Sequence, residues 1–295
     1  MSARIVTVFG ATGAQGGGVA RALLERGGSW KVRGVTRNPE SEKAKALTAL
    51  GAEMVKASLD DKESIKRAVA GSYAAFVVTN YWEIMDAARE TKQGKDAADA
   101  CKEVGVKHYI YSGLENVKRI AGIDVPHFDA KGEVEDYLPS VGLPYTIIRF
   151  PAYYDFWPKS GQKQDDGTYA LTMCMGKDPL HGLAVSDAGP AVASILENRE
   201  EYIGKTIGLS GDCRPVSEYT DVLTKNTNKT YKYVEVDYET FAKFGFPGAD
   251  DMAMMFKFYR TDKFHRDIEL TRKLNPKVQT FEDYVKANRA TIDAI

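Results

Sequence analysis

Cysteine is scarce. The three residues Cys101, Cys174 and Cys213 are an odd number without metal-like spacing, so neither a disulfide framework nor a zinc site is indicated. Long apolar runs are missing too: none approaches the roughly 20 residues of a membrane-spanning helix, and near the start the longest covers only residues 5–9. The N-terminus lacks the basic, apolar and small-residue succession of a signal peptide. An excess of either charge is absent: 40 Lys plus Arg against 41 Asp plus Glu leave −1. That balance argues against bulk capture of nucleic acid or of an anionic membrane, and leaves room only for a local basic patch. No recognition-helix motif, internal repeat or low-complexity tract is present. These absences predict a soluble intracellular protein that needs no metal and touches neither membrane nor nucleic acid directly.

What is there is an ordinary globular balance, 43% hydrophobic and 27% charged over 295 residues. This length makes about two domains of ~150 residues, or one α/β unit with an appendage. Residues 4–9, 31–36, 53–56, 74–79, 107–112 and 145–150 read as strands, and 19–25, 41–50, 62–69, 90–104 and 132–138 as helices. Strands separated by helices need crossover connections, which predicts a doubly wound α/β domain of the Rossmann type, with a parallel sheet covered on both faces. Its expected extent is 1–152, with 183–210 returning to it through a strand, a Ser186 or Asp187 cap, a helix and one more strand at 205–209. Residues 153–182, with a hairpin or loop at 162–168, and 211–295 make a smaller, mainly helical C-terminal domain.

The strongest motif is Gly10-Ala11-Thr12-Gly13-Ala14-Gln15-Gly16, between the first strand and first helix. Gly10 permits the turn, Gly13 lets backbone approach a pyrophosphate, and Gly16 lets the helix pack close to the sheet. The unpaired N–H groups opening that helix suit an anion; a purely structural turn is the plainer alternative. The second strand ends Val35-Thr36-Arg37-Asn38, without the carboxylate that takes the ribose hydroxyls of NAD. A guanidinium there can pair a 2′-phosphate, which favours NADP(H) over NAD(H), unless Arg37 is simply a solvated surface residue.

Further phrases match a known family. Val78-Thr79-Asn80-Tyr81-Trp82, Lys92-Gln93-Gly94-Lys95, Tyr111-Ser112-Gly113-Leu114-Glu115-Asn116 and His127-Phe128-Asp129-Ala130-Lys131-Gly132 resemble the NmrA-like family, a branch of the atypical short-chain dehydrogenase/reductase folds. Phe244-Gly245-Phe246-Pro247-Gly248-Ala249 and Arg266-Asp267-Ile268-Glu269-Leu270-Thr271 extend the resemblance nearly end to end and are similar to its NADPH-sensing animal branch. The resemblance implies NADP(H) held as a regulatory ligand and a redox-sensing role exercised through protein partners. It further implies a cytoplasmic place with the nucleus as a second one, and admits a homodimer. By motif, cofactor contacts fall on Gly10, Ala11, Thr12, Gly13, Ala14, Gln15 and Arg37, with Asp60 and Asp61 at the adenine and Asn80 and Tyr81 past the fourth strand. Lys92 and Lys131 lie near the ribose and phosphates, and Tyr153, Tyr154 and Asp155 near the nicotinamide end. The chain departs from relatives in having Glu40-Ser41-Glu42 after the Arg-Asn-Pro turn, where a second basic residue often stands. Arg37 is left with most of the phosphate preference.

Active members of the wider fold resembled here carry a Tyr four residues before a Lys on one helix, the phenol handling the carbonyl proton. Here His127 and Lys131 hold those positions, on one helix face by their i, i+4 spacing. The phenol is gone. Ser112 can still polarise a carbonyl, and an imidazole with its ordinary pKa near ~6.5 can serve as acid, so a reductase of a small carbonyl or quinone using Ser112, His127 and Lys131 is the rival reading. Against it, His127 after Pro126 reads as a capping or packing residue, Lys131 as a cofactor contact without chemistry, and Ser112 as a turn residue. The aromatics between Tyr153 and Trp157 and the patch Met252, Met254, Met255, Phe256 and Phe258 are core by default, with a substrate pocket and a partner surface as their alternatives.

Overall fold

Short β-branched runs alternating with amphipathic segments build crossovers, and the computed structural model, which describes residues 3–295, shows them. In order come β1 (Arg4–Val8), α1 (Ala14–Arg26), β2 (Trp30–Thr36), α2 (Glu42–Ala49), β3 (Glu53–Lys56), α3 (Lys62–Val69), β4 (Ala74–Val77), α4 (Tyr81–Ile84), α5 (Ala87–Glu103), β5 (His108–Gly113), α6 (Val117–Ala121), α7 (Pro126–Val141) and β6 (Tyr145–Arg149). They are followed by β7 (Ala152–Tyr153), α8 (Trp157–Ser160), β8 (Gln162–Lys163), β9 (Tyr169–Met173), β10 (Pro179–Leu183), α9 (Ala188–Glu197), α10 (Arg199–Tyr202), β11 (Thr206–Gly208), β12 (Asp212–Pro215), α11 (Val216–Asn226) and β13 (Tyr231–Glu235). Five helices close the chain: α12 (Tyr238–Ala242), α13 (Ala249–Tyr259), α14 (Ile268–Leu274), α15 (Phe281–Ala287) and α16 (Arg289–Asp293). Among the described residues no helix is long and apolar enough to cross a membrane.

The main sheet has seven strands in the order β11-β6-β5-β4-β1-β2-β3, parallel from β3 through β6. The winding reverses between β1 and β4, the switch point outside whose carboxyl ends such sheets open a crevice. All four residues of β4 are fully buried, as a strand covered on both faces requires. On one face Ile65 and Val69 of α3, Ala97 and Cys101 of α5 and Val134 and Leu138 of α7 share one apolar cluster with Tyr109, Tyr111 and Ile147. On α1 rests α9, so close that a Cβ on Gly189 would stand 2.6 Å from the Gly18 carbonyl carbon. Arg26 of α1 also pairs with Glu197 of α9.

The chain divides into two compact units. One holds the sheet and comprises the residues up to Asn116, His127–Arg149 and Ser186–Ile207. The other comprises Val117–Pro126, Phe150–Val185 and Gly208–Ile295. Val117–Pro126, inside the span the sequence assigns to the Rossmann domain, groups with the second unit.

The second unit holds more strand than the sequence pattern predicts. β7, β10 and β12 form one three-stranded sheet, and β8, β9 and β13 another. β8 and β9 are the arms of the hairpin expected at 162–168. β12, Asp-Cys-Arg-Pro, is half-buried throughout and lacks the alternation that marks a strand. β13 lies where the sequence pattern predicts only helices and loops, although Tyr231 and Tyr233 keep a period of two. Val185–Asp187 is a 3-10 turn rather than a strand, and Asp187 leads into α9 without a side-chain cap bond.

Candidate functional site

β1 delivers the chain into the glycine turn. Gly10 takes φ +64°, and a Cβ there would lie 2.9 Å from Val78 Cγ1. A Cβ on Gly16 would come within 2.6 Å of both the Phe9 carbonyl oxygen and the Gly10 carbonyl carbon, so the start of α1 packs against the turn's own backbone. Gly13 is exposed and precedes α1 with no side-chain cap, and no acidic residue stands in the first turn. Helix-opening N–H groups without a capping side chain or a nearby carboxylate make an anion cradle. Ala11 is buried, its N–H donating to Val35 O at 3.3 Å; Thr12 is half-buried and Ala14 exposed. The Gln15 side-chain oxygen accepts from Ser112 Oγ at 2.7 Å, which joins the turn to the end of β5.

Arg37 follows β2, with 71% of its side chain exposed, and its guanidinium is held by Glu83 of α4. Asn80 Nδ2 approaches the other Glu83 oxygen at 3.5 Å. Tyr81 and Trp82 pack at a tilt against His127, with ring centroids 6.1 and 4.8 Å from the imidazole, and Phe128 stands edge-on to it at 4.7 Å. His127 is buried among rings.

Lys131 departs from the ribose contact that the resemblance implies. Its ammonium donates to Thr79 O at 3.0 Å and Thr79 Oγ1 at 2.8 Å, and is ion-paired with Glu90 Oε1. Glu90 is wholly buried, and its second oxygen finds no hydrogen bond. Burial pulls the Lys131 pKa below the ordinary lysine value, while the Glu90 carboxylate opposes the shift. Glu90 is a residue the sequence reading missed. It stands 41 positions from Lys131, and only the packing of α5 beside α7 shows the pair.

Other expected contacts have other work. Asp60 accepts from Arg89 Nε and Nη2 at 2.9 and 2.7 Å and from Gln93 Nε2 at 2.9 Å, bonds that hold its carboxyl well below the usual range, Arg89 foremost. Asp61 caps α3 through the Glu63 and Ser64 N–H groups. Lys92 is exposed on α5 and paired with Asp96 one turn on. Tyr154, in the second unit, is fully buried against Trp157, Tyr219 and Phe281, and a ring so enclosed has no face left for a nicotinamide. Tyr153 packs on Phe150 and Phe156, and Asp155 accepts the Val185 N–H at 3.0 Å. In α13 Phe256 and Phe258 are buried and the three methionines half-buried. In the first unit, Glu115 and Asn116 help fix the fold's interior. Arg149 lies 3.4 Å from Glu115 and 2.5 Å from Glu135, while Asn116 Nδ2 donates to Asp136 at 2.9 Å.

The profile of the NmrA-like family matches residues 2–285. The chain belongs to the NmrA-like family. An NmrA-like family domain-containing protein of Dictyostelium discoideum is 27% identical, with 98% of this chain and 99% of that protein covered. The NmrA-like oxidoreductase cpsB of Aspergillus campestris is 31% identical over 98% of this chain and 91% of its own. Among solved structures NmrA, a negative transcriptional regulator, superposes with a TM-score of 0.86 in its complex with NAD and 0.85 in its complex with NADP. In both it is 21% identical, with 100% of this chain and 98% of that one covered, so the match speaks for the fold.

Proposed function

We propose that this NmrA-like chain binds NADP(H) outside the carboxyl ends of β1, β2 and β4 and serves as a redox-responsive regulator read by protein partners. Dinucleotide binding is supported by the glycine turn at the switch point: Gly10 and Gly16 let the turn and α1 close on each other, and exposed Gly13 puts no side chain over the opening N–H groups of α1. NmrA, crystallised with NAD and with NADP, lends the same support. Gly10 through Gln15 would hold the diphosphate and Arg37 the 2′-phosphate. The bound group would supply a hydride-transfer couple, and this chain's own residues would bind and orient it.

One observation carries the regulatory side. The residue in the proton donor's place, His127, is buried among Tyr81, Trp82 and Phe128, while the lysine four positions on is committed to Glu90 and Thr79. A reductase of a small carbonyl or quinone is favoured by one feature, the Ser112 hydroxyl at the end of β5 beside Gln15, and by the oxidoreductase name of cpsB. Purified protein with NADPH and a carbonyl and quinone panel, followed by nicotinamide absorbance, decides between them. On the regulatory reading wild type and His127→Ala both turn over negligibly, and NADPH affinity changes by less than about 3-fold. The variant loses roughly 1–3 kcal/mol of stability with its ring contacts. Wild-type turnover that drops 10²–10⁴-fold in a folded His127→Ala, roughly the range of a general acid, selects the reductase.

The cofactor preference has its own test. Arg37→Ala should weaken NADPH about 10-fold, the value of one exposed charge-assisted pair, and leave NADH nearly unchanged. Equal losses in titration calorimetry would remove Arg37 from the phosphate.

A further inference from the structure

The carboxylate missing from the tip of β2 is present in space. β2 and β4 flank β1 on its two sides, and Arg37 follows the first while Glu83 follows the second. Their ion pair therefore spans the carboxyl end of β1, across the mouth of the switch-point crevice, roughly two strand spacings or ~10 Å of sheet. The Glu83 arm is held in place: Asn80 approaches one carboxylate oxygen, and α4 ends on Met85 at φ +46°, the sole left-handed non-glycine residue among those described. A non-glycine side chain in that region is strained and holds only where its surroundings dictate it.

We propose that Glu83 is a specificity-determining residue that sets the NADP(H)/NAD(H) selectivity of this site by competing with the 2′-phosphate for Arg37. The inference rests on the dinucleotide reading above. Without the phosphate, the guanidinium is satisfied by Glu83. With it, the two anions contend for one cation, and the carboxylate must withdraw because a phosphate dianion and a carboxylate repel at this range. A 2′-hydroxyl makes no such demand, so NAD(H) enters with the pair intact. The Arg-Asn-Pro turn is followed by Glu40-Ser41-Glu42, so no cation in that stretch offsets Glu83.

Titration calorimetry of the full chain with NADPH and NADH tests this in wild type, Glu83→Gln, Arg37→Ala and the double variant. Glu83→Gln should tighten NADPH by about 3- to 10-fold, the scale of an exposed ion pair plus screened repulsion, with NADH unchanged within about 2-fold. In the Arg37→Ala background the same substitution should yield at most a small part of that gain, because its main target is gone. Unchanged or weaker NADPH binding in folded Glu83→Gln, an equal change for both nucleotides, or a full gain that survives without Arg37 overturns the proposal. Wild type that binds neither nucleotide overturns the dinucleotide reading, and this inference with it; wild type that binds both while Glu83→Gln changes nothing overturns this inference alone.

Discussion

Gly13→Val should abolish binding of both nicotinamide dinucleotides, by more than about 100-fold, in a protein that still folds. The two halves of that expectation come from one geometry. A Cβ on Gly13 would have Gly10 O as its nearest neighbour at 3.2 Å, a tight contact that a few tenths of an ångström relieve, and its backbone is not left-handed. The branched methyls would then occupy the space that an anion needs against the opening N–H groups of α1. Circular dichroism and thermal melting report the fold, and calorimetry the affinity. Undiminished NADPH binding in a folded variant would move the site away from the turn. Gly16→Val is the contrasting case, since its Cβ already collides with turn backbone and the variant should lose stability first.

Lys131→Ala should cost about 3–5 kcal/mol of stability, the penalty for stranding a buried charge. Glu90 is wholly buried, with Lys131 as its ion-pair partner, and its second oxygen already lacks a hydrogen bond. Removing the ammonium leaves a carboxylate that must stay charged in the interior or take up a proton. Replacing both partners with apolar groups of similar volume, Lys131→Met with Glu90→Leu, should recover much of the loss, because a buried pair contributes little net stability against a packed hydrophobic equivalent. Urea unfolding at constant slope measures both. A loss under about 1 kcal/mol for Lys131→Ala would mean that the pair is solvated. Lost activity in Lys131→Ala would accordingly carry no catalytic meaning until its stability is known. His127→Ala and Ser112→Ala are the cleaner probes of chemistry.

What the sequence disclosed and what it hid divide along the range of the interactions. β3 and α3 stand where the apolar pattern predicts them, because period and caps such as Asp61 are local. The glycine turn was legible for the same reason: strand, turn and helix are contiguous. Glu83 and Glu90 were not. Arg37 meets Glu83 across 46 positions and Lys131 meets Glu90 across 41, and neither glutamate sits in a pattern that sets it apart from a solvated helix charge. Tyr154 shows the opposite failure. Its place in a family motif suggested a cofactor contact, and the aromatic packing of its own unit encloses it instead. Beyond the hairpin, the strands of the second unit escaped: β10 begins on proline and carries Gly182, and β12 ends on proline.

The seating of α9 on α1 has a consequence for how the protein is made. Gly18 and Ala22 form a narrow seam into which Gly189 fits backbone to backbone, yet the two sides of that seam lie far apart in the chain. A nascent chain that has emerged through β6 carries nearly all of the parallel sheet, while the outer side of α1 has no cover. It must wait while the ribosome delivers the excursion through β10, and only then does α9 arrive to seal the seam and β11 to extend the sheet past β6. Loop-closure entropy grows only slowly with the length of such an excursion, so the finished fold tolerates it well. During synthesis the side of α1 that α9 later covers stays exposed, and truncation before Ala188 makes that interval permanent.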